Sequence, residues 1–440
     1  MTETIKYLFF TGLLIGVGFG IRYGYRYALA GAAYNAKITC SCVFIGGRTL
    51  ESIQSEDLYT IPFAKQKVDE ANKTVTSSIL GIISKTSFYR PGLGCTLVNE
   101  QDIETMKKTL PDINVAKREY TIPDSLLPSE QQAKIDKTLD WAMQSVYKDV
   151  IVNTRAIIVA IDGKIVAERY APGFNKDSPL MGWSMTKSVT NTMIGILVRD
   201  GILKVSQDHL FEEWQNDDRK NITIDHLLRM RSGLEFEENY KKVSDAIKML
   251  YMKDGAGKYA ISRPLIHPIG EHWNYSSGTT NILQEVIKST FTDQKGYAEF
   301  PHRRLFAKLG MPTAVMEMDG SGTYIGSSYM YATARDWTKL GLLYQNDGMW
   351  NGEQILPPGW VNYSKELTPQ SDGEYGAHFW LDPKDNNLPK GANHMLMMGH
   401  EGQYVVINPD KKMVVVRLGC TQKSDSFDLG RLLSELYQIF

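Results

Sequence analysis

GWSMTKSVTN, residues 182–191, places a serine three positions before a lysine at the start of an apolar-periodic run. Val189, Met193, Leu197 and Val198 fall on one helical face, and Gly201 closes the run. Ser184 then sits in a first helical turn, and Lys187 shares its face. A serine hydroxyl is a weak nucleophile until a neighbouring base takes its proton. Lys187 is the candidate base. The backbone N–H of Ser184, at a helix start, points to where an oxyanion would form. S-x-x-K alone is a weak signal: Ser145 and Lys148 make a second one, taken here as accidental. Two companion stretches add specificity.

The first companion is HWNYSSG, 272–278. Tyr275 follows a turn at Pro268 and Gly270 and precedes a helix. A phenol on such a loop can shuttle a proton between serine, lysine and leaving group. The second is GHEGQ, 399–403, where two glycines frame His400 and Glu401 just before a strand. Gly402 would let a substrate lie against the strand edge, and the N–H of Gln403 becomes the second candidate oxyanion donor.

Together these elements resemble the serine β-lactamase and penicillin-binding-protein superfamily, with its order S-x-x-K, Y-x-N, then K-T-G or H-x-G. ITIDHLLRMRSGLEF (222–236) and YATARDWTKLGLLYQNDGMWNGEQILPPGWV (331–361) resemble the segments between those motifs. The likeness covers residues 150–440 and is nearest to the esterase-like branch that includes the 6-aminohexanoate-dimer (nylon oligomer) hydrolases. It implies Ser184, Lys187 and Tyr275 as catalytic residues and Ser184 and Gln403 as oxyanion donors. It implies Tyr240 (in EENY, 237–240), Ser277, His400 and Gly402 as substrate contacts. The pattern departs from the family at three places. The asparagine of Y-x-N is Ser277, the lysine of K-T-G is His400, and its hydroxyl residue is Glu401. Those departures weaken a β-lactam substrate and leave acyl transfer intact. The reading is a serine hydrolase of small amides or esters that needs no cofactor and no metal. The rivals are a D-amino-acid peptidase or β-lactamase acting on cell-wall peptides and, from another class, an inactive membrane-tethered scaffold. An α/β-hydrolase fits less well, because no G-x-S-x-G occurs.

The fold follows from the flanks. RAIIVAIDGKIVAERY (155–170) reads as a hairpin turning at Asp162-Gly163, and QYVVINPDKKMVVVRLG (403–419) as a second. A last helix, 427–440, carries Leu429, Leu432, Leu433 and Leu436. The expected architecture is α+β: one antiparallel sheet from both ends of the domain, flanked by helices, with a mostly helical subdomain over 184–350. The hydrolase domain is placed at 126–440 and a small β-rich accessory region at 37–125, where KTVTSSILGIISKTSFYRPGLGCTLV (73–98) alternates apolar and polar.

Residues 1–36 are assigned to a membrane anchor or signal segment. YLFFTGLLIGVGFGI (7–21) is almost wholly apolar, with Lys6 before it and Arg22 and Arg26 after. It falls short of the roughly 20 residues a spanning helix needs and is expected to act as an uncleaved or slowly cleaved anchor. The arginine flank favours a cytoplasmic body, whereas the family resemblance favours an extracytoplasmic one, which is the expectation adopted. Formal net charge is −1, so no basic surplus points to nucleic acid. His267 and His272 are five apart and no H-E-x-x-H occurs, which argues against a metal site. Cys40, Cys42, Cys95 and Cys420 are too few for a disulfide scaffold. Cys95 could pair with either of the first two, or all four could be buried thiols.

Overall fold

Helix α1 spans Glu3–Phe44 and is followed by a four-stranded antiparallel sheet of β1 (Lys65–Asp69), β2 (Thr74–Ile79), β3 (Ile83–Arg90) and β4 (Gly94–Val98), paired in that order. The computed structural model describes residues 3–109, 113, 118–422 and 426–440, with side chains described at 20 and from 22 onward. The apolar stretch 7–21 therefore lies, but for Gly20, outside the described side chains. Among the described residues no helix is long and apolar enough to cross a membrane.

The second half of α1 is a packing element. Its small residues Ala32, Ala33 and Ala36 are fully buried, and a Cβ on Gly31 would stand 2.6 Å from Ile61 Cδ1. Only small side chains let the sheet and the following loop approach so closely. The boundary drawn at residue 36 falls inside this one helix. Cys40 is bridged to Cys95 on β4, with Cα atoms 6.1 Å apart, and Cys42 and Cys420 are buried thiols. Lys37 ion-pairs with Glu317 of the main body at 2.5 Å, both side chains buried. Glu317 also accepts from Ser41 Oγ and from the Cys95 N–H. Burial pulls the Lys37 amine below its usual range, and Glu317 opposes that pull.

The main body holds a five-stranded antiparallel sheet. Helix α2 (Ser129–Ala142) precedes β5 (Thr154–Ile161) and β6 (Lys164–Tyr170), which turn through Asp162 and Gly163, both at positive φ. That is the two-residue turn whose twist suits a hairpin. Helix α3 (Thr186–Arg199), α4 (Ser277–Ser289) and α5 (Ala334–Gln345) fill the insertion. Strands β7 (Met395–Gly399), β8 (Gln403–Asn408) and β9 (Met413–Gly419) and helix α6 (Leu429–Ile439) close the chain. The sheet order is β7-β8-β9-β5-β6.

Strand periodicity divides the core in two. Ile157, Val159, Val406 and Val415 face α2 and α6 in one apolar layer. Ile158, Ala160, Val405, Val414 and Val416 face the other way, toward α5 and the helical insertion. A Cβ on Gly341 of α5 would lie 2.6 Å from Val414 Cγ1, so that glycine sets how closely the helix packs on the sheet. Both hairpins, the closing amphipathic helix and the helical insertion are as the sequence pattern leads one to expect.

Candidate active site

Ser184 lies in a 3₁₀ turn, Trp183–Met185, that runs directly into α3. Trp183 takes φ 48, a left-handed conformation that costs a bulky residue energy and tends to mark functional turns. Its indole N–H donates to Glu401 Oε2 at 3.1 Å, which pins the turn to the β7–β8 connection. Gly399 is equally close: a Cβ there would lie 2.1 Å from the Gly182 carbonyl oxygen. The nucleophile turn and the end of β7 are thus in backbone contact.

Lys187 is almost fully buried. Its Nζ stands 3.0 Å from Ser184 Oγ, 3.1 Å from Ser277 Oγ and 3.0 Å from the Ser327 carbonyl, and 4.8 Å from the centre of the Tyr275 ring. Ser277, the first residue of α4, thus contacts the lysine directly. Tyr275 is half-buried, with its ring against Trp380 and Tyr375.

Behind these groups are buried supports. His378 meets Thr280 Oγ1 of α4 at 2.9 Å and the Leu228 carbonyl at 2.6 Å, while Ser188 Oγ of α3 donates to the His378 carbonyl. Burial pushes the imidazole down to about 3, so it is neutral at ordinary pH.

A cavity of about 340 Å³ opens in front of Ser184 and is lined by Trp183, Glu238, Tyr240, Tyr275, Trp380 and His400, among others. Tyr240 and His400 are exposed and stack at 6.2 Å, with His400 edge-on to Trp183. The cavity therefore brings together Ser184, Tyr240, Tyr275 and His400, with Lys187 and Ser277 directly behind.

Two expected residues, Gln403 (by its backbone N–H) and Gly402, are not among those that line the cavity. The Gln403 side chain is buried, donating to the Gly419 carbonyl at 2.7 Å and accepting the Gly419 N–H at 3.0 Å. Gly402 has φ 76, and a Cβ there would meet Arg417 Nη1 at 2.5 Å, so the buried guanidinium by itself requires glycine. Gly399 and His400 are the backbone positions of that turn that border the cavity. Glu401 lies below Trp183, where burial raises its carboxyl above the usual range.

Two further contributors have no motif to single them out. Glu238 accepts from Ser277 Oγ at 2.6 Å, from the Ser277 N–H at 2.9 Å and from Tyr240 Oη at 2.6 Å. It extends the line Ser184, Lys187, Ser277 by a carboxylate. Its only sequence cue is its place in EENY, two residues before Tyr240. The second is a whole wall of the cavity, Tyr27, Ala30, Gly31 and Tyr34 of α1, completed by Thr60 and Ile61. Among the described residues no group of side chains could hold a metal ion.

This arrangement can deprotonate Ser184, accept an acyl group on it and hold an oxyanion at a helix start. Known proteins share the frame. The family model described as Beta-lactamase matches residues 151–436. The 6-aminohexanoate-dimer hydrolase of Paenarthrobacter ureafaciens is 22% identical over 298 residues, which is 62% of this chain and 74% of that protein. A solved structure named as a putative 6-aminohexanoate-dimer hydrolase from Bacillus anthracis superposes with TM-score 0.59 at 20% identity, covering 76% of this chain and 91% of its own. EstCE1, described as a hydrolase with promiscuous acyltransferase activity, superposes with TM-score 0.56 at 14% identity, covering 70% and 99%.

Proposed function

The chain belongs to the beta-lactamase family, and on that footing we propose that it hydrolyses a small-molecule amide or ester through an acyl-enzyme on Ser184. The observation that carries this is the approach of Lys187 Nζ to Ser184 Oγ, 3.0 Å at the floor of an open cavity. Lys187 takes the hydroxyl proton as Ser184 Oγ attacks the carbonyl carbon. Tyr275 returns a proton to the departing amine or alcohol. Water, activated by the same pair, then releases the acid and restores Ser184. The oxyanion is held by the Ser184 N–H and by the backbone at 399–400, which borders the cavity where Gln403 does not. Glu238, through Ser277, positions Lys187.

The likeness to 6-aminohexanoate-dimer hydrolases supports a linear amide or ester over a β-lactam. Glu401 and His400 replace the K-T-G pair, which weakens the reading as a cell-wall peptidase. The test is turnover of a p-nitrophenyl ester, a 6-aminohexanoate dimer and a D-Ala-D-Ala peptide by the wild type and by Ser184→Ala. Turnover of the first or second, lost in the variant, is the expected result. Preference for the D-Ala-D-Ala peptide overturns the substrate choice.

The chain is further read as tethered by its apolar segment 7–21, with the hydrolase domain outside the cytoplasm. The Cys40–Cys95 bridge supports an oxidising compartment. Protease protection of the domain in closed cells, with loss of a thiol-labelling site on oxidation, tests both points.

A further inference from the structure

The wall that α1 contributes to the cavity also bears on what the site takes. Tyr27, Ala30, Gly31 and Tyr34 recur at helical spacing and present one face of α1 to the cavity. Residues 22–27, the last of which is Tyr27 itself, are exposed. They carry Arg22 and Arg26 and three tyrosines, Tyr23, Tyr25 and Tyr27, that are 55%, 54% and 48% exposed. Before those comes the apolar stretch 7–21. Apolar helix, then a tyrosine and arginine girdle, is the pattern of a membrane–water boundary.

A second exposed apolar element packs beside α1. The β2–β3 turn ends in Leu80-Gly81-Ile82, with Leu80 87% and Ile82 85% exposed. Two large aliphatic side chains almost wholly in water, at the tip of an ordered hairpin, call for a partner. Ile79 and Ile83, on either side of that tip, pack with Ala28, Ala32, Ile61 and Ala64 in one cluster. The tip is thereby held beside the point where α1 leaves the body. Phe63, next to Ala64, is 65% exposed. Ile61 belongs to this cluster and to the cavity wall at once. The exposed apolar rim, the helix exit and the cavity are therefore contiguous.

We propose that this rim docks on the lipid surface into which α1 leads, and that the cavity takes the acyl ester or amide of a membrane-borne amphiphile. The inference rests on the acyl-transfer reading and on the tether reading given above. The substrate's acyl chain passes along the α1 wall, past Tyr27 and Tyr34, to bring its carbonyl to Ser184. The new bond joins Ser184 Oγ to the acyl carbon, and the bond to the headgroup alcohol or amine breaks. That leaving group departs with the serine's proton, and water then yields the free acid.

The test uses the full chain in phosphatidylcholine vesicles, with p-nitrophenyl butyrate as the soluble ester and p-nitrophenyl palmitate carried in the bilayer. Leu80→Asp/Ile82→Asp changes only exposed side chains. It is expected to keep butyrate turnover within about twofold and to lower palmitate turnover at least tenfold, with an unchanged unfolding temperature. In parallel, Leu80→Trp is expected to add fluorescence that brominated phosphatidylcholine quenches. Unchanged palmitate turnover in the double variant, or a Leu80→Trp signal that brominated lipid does not quench, overturns the docking. A wild type that turns over butyrate but no vesicle-borne ester overturns the substrate class alone. A wild type that turns over neither ester, with Ser184 unreactive to a fluorophosphonate, shows instead that the acyl-transfer reading has failed.

Discussion

On one side of the cavity Ser184, Lys187 and Ser277 are linked by polar contacts of 3.0 and 3.1 Å across the starts of two helices. On the other side Tyr27, Gly31 and Tyr34 come from the helix at the far end of the chain, held in place by a disulfide, a buried ion pair and close packing of small residues. The first wall is made of short polar contacts within one domain and carries the chemistry. The second is joined to that domain over long sequence separations and shapes what can enter. Damage to the first should cost rate with the fold intact. Damage to the second should cost stability, or substrate choice, with the chemistry intact.

The largest effect expected on the first wall is from Lys187→Ala. Loss of a general base lowers turnover by about 10²–10⁴-fold. Steady-state kinetics with a p-nitrophenyl ester checks it, and a variant as active as the wild type would break the contrast. On the second wall, Lys37→Met leaves the Glu317 carboxylate buried without its cation. Removing one partner of such a pair costs about 3–5 kcal/mol, measured as a shift in urea midpoint. Lys37→Met with Glu317→Gln should recover much of that, because no charge is then left buried.

The supports of the first wall can be separated from its chemistry by pH. His378 is held down to about 3, below its ordinary value of about 6.5. The unfolded chain therefore takes up a proton there first as pH falls, and stability drops through the window from about 6.5 toward 3. Between pH 6.5 and 5 this site alone should remove about 1.6 kcal/mol. Urea unfolding at the two pH values should show it, and His378→Gln should flatten the slope. The smallest effect belongs to the second wall. Tyr34 Oη donates to the Asp57 carbonyl at 3.2 Å, and Tyr34→Phe is expected to cost about 1 kcal/mol with short-ester turnover unchanged.

The two walls also differ in how far they could be read from residues alone. Ser184 and Lys187 are three apart on one helix, so their meeting is a local matter of helical spacing. The main sheet is legible because its strands alternate or run apolar between turn residues, as at Asp162-Gly163. The wall from α1 is not legible in this way. Its buried half, AGAAYNAKITCSC (30–42), is built of small and polar residues, and its packing partners lie in β4, the loop near Ile61 and Glu317. Beside the strongly apolar 7–21 it reads as a flank, which is why the boundary falls at 36 inside a continuous helix. Lys37 carries no local sign of its partner, which is 280 residues away. Gly402 shows the reverse problem. A glycine beside a strand suggests room for substrate, yet here it makes room for Arg417. Glu238 is hidden because only folding brings its carboxylate to Ser277.

The most direct test of the account is intact-protein and peptide mass spectrometry after brief exposure to a fluorophosphonate. A single adduct on Ser184 is expected, lost in Ser184→Ala and strongly reduced in Lys187→Ala, both variants remaining folded. A folded wild type that forms no adduct, or one that maps to another serine, would contradict it.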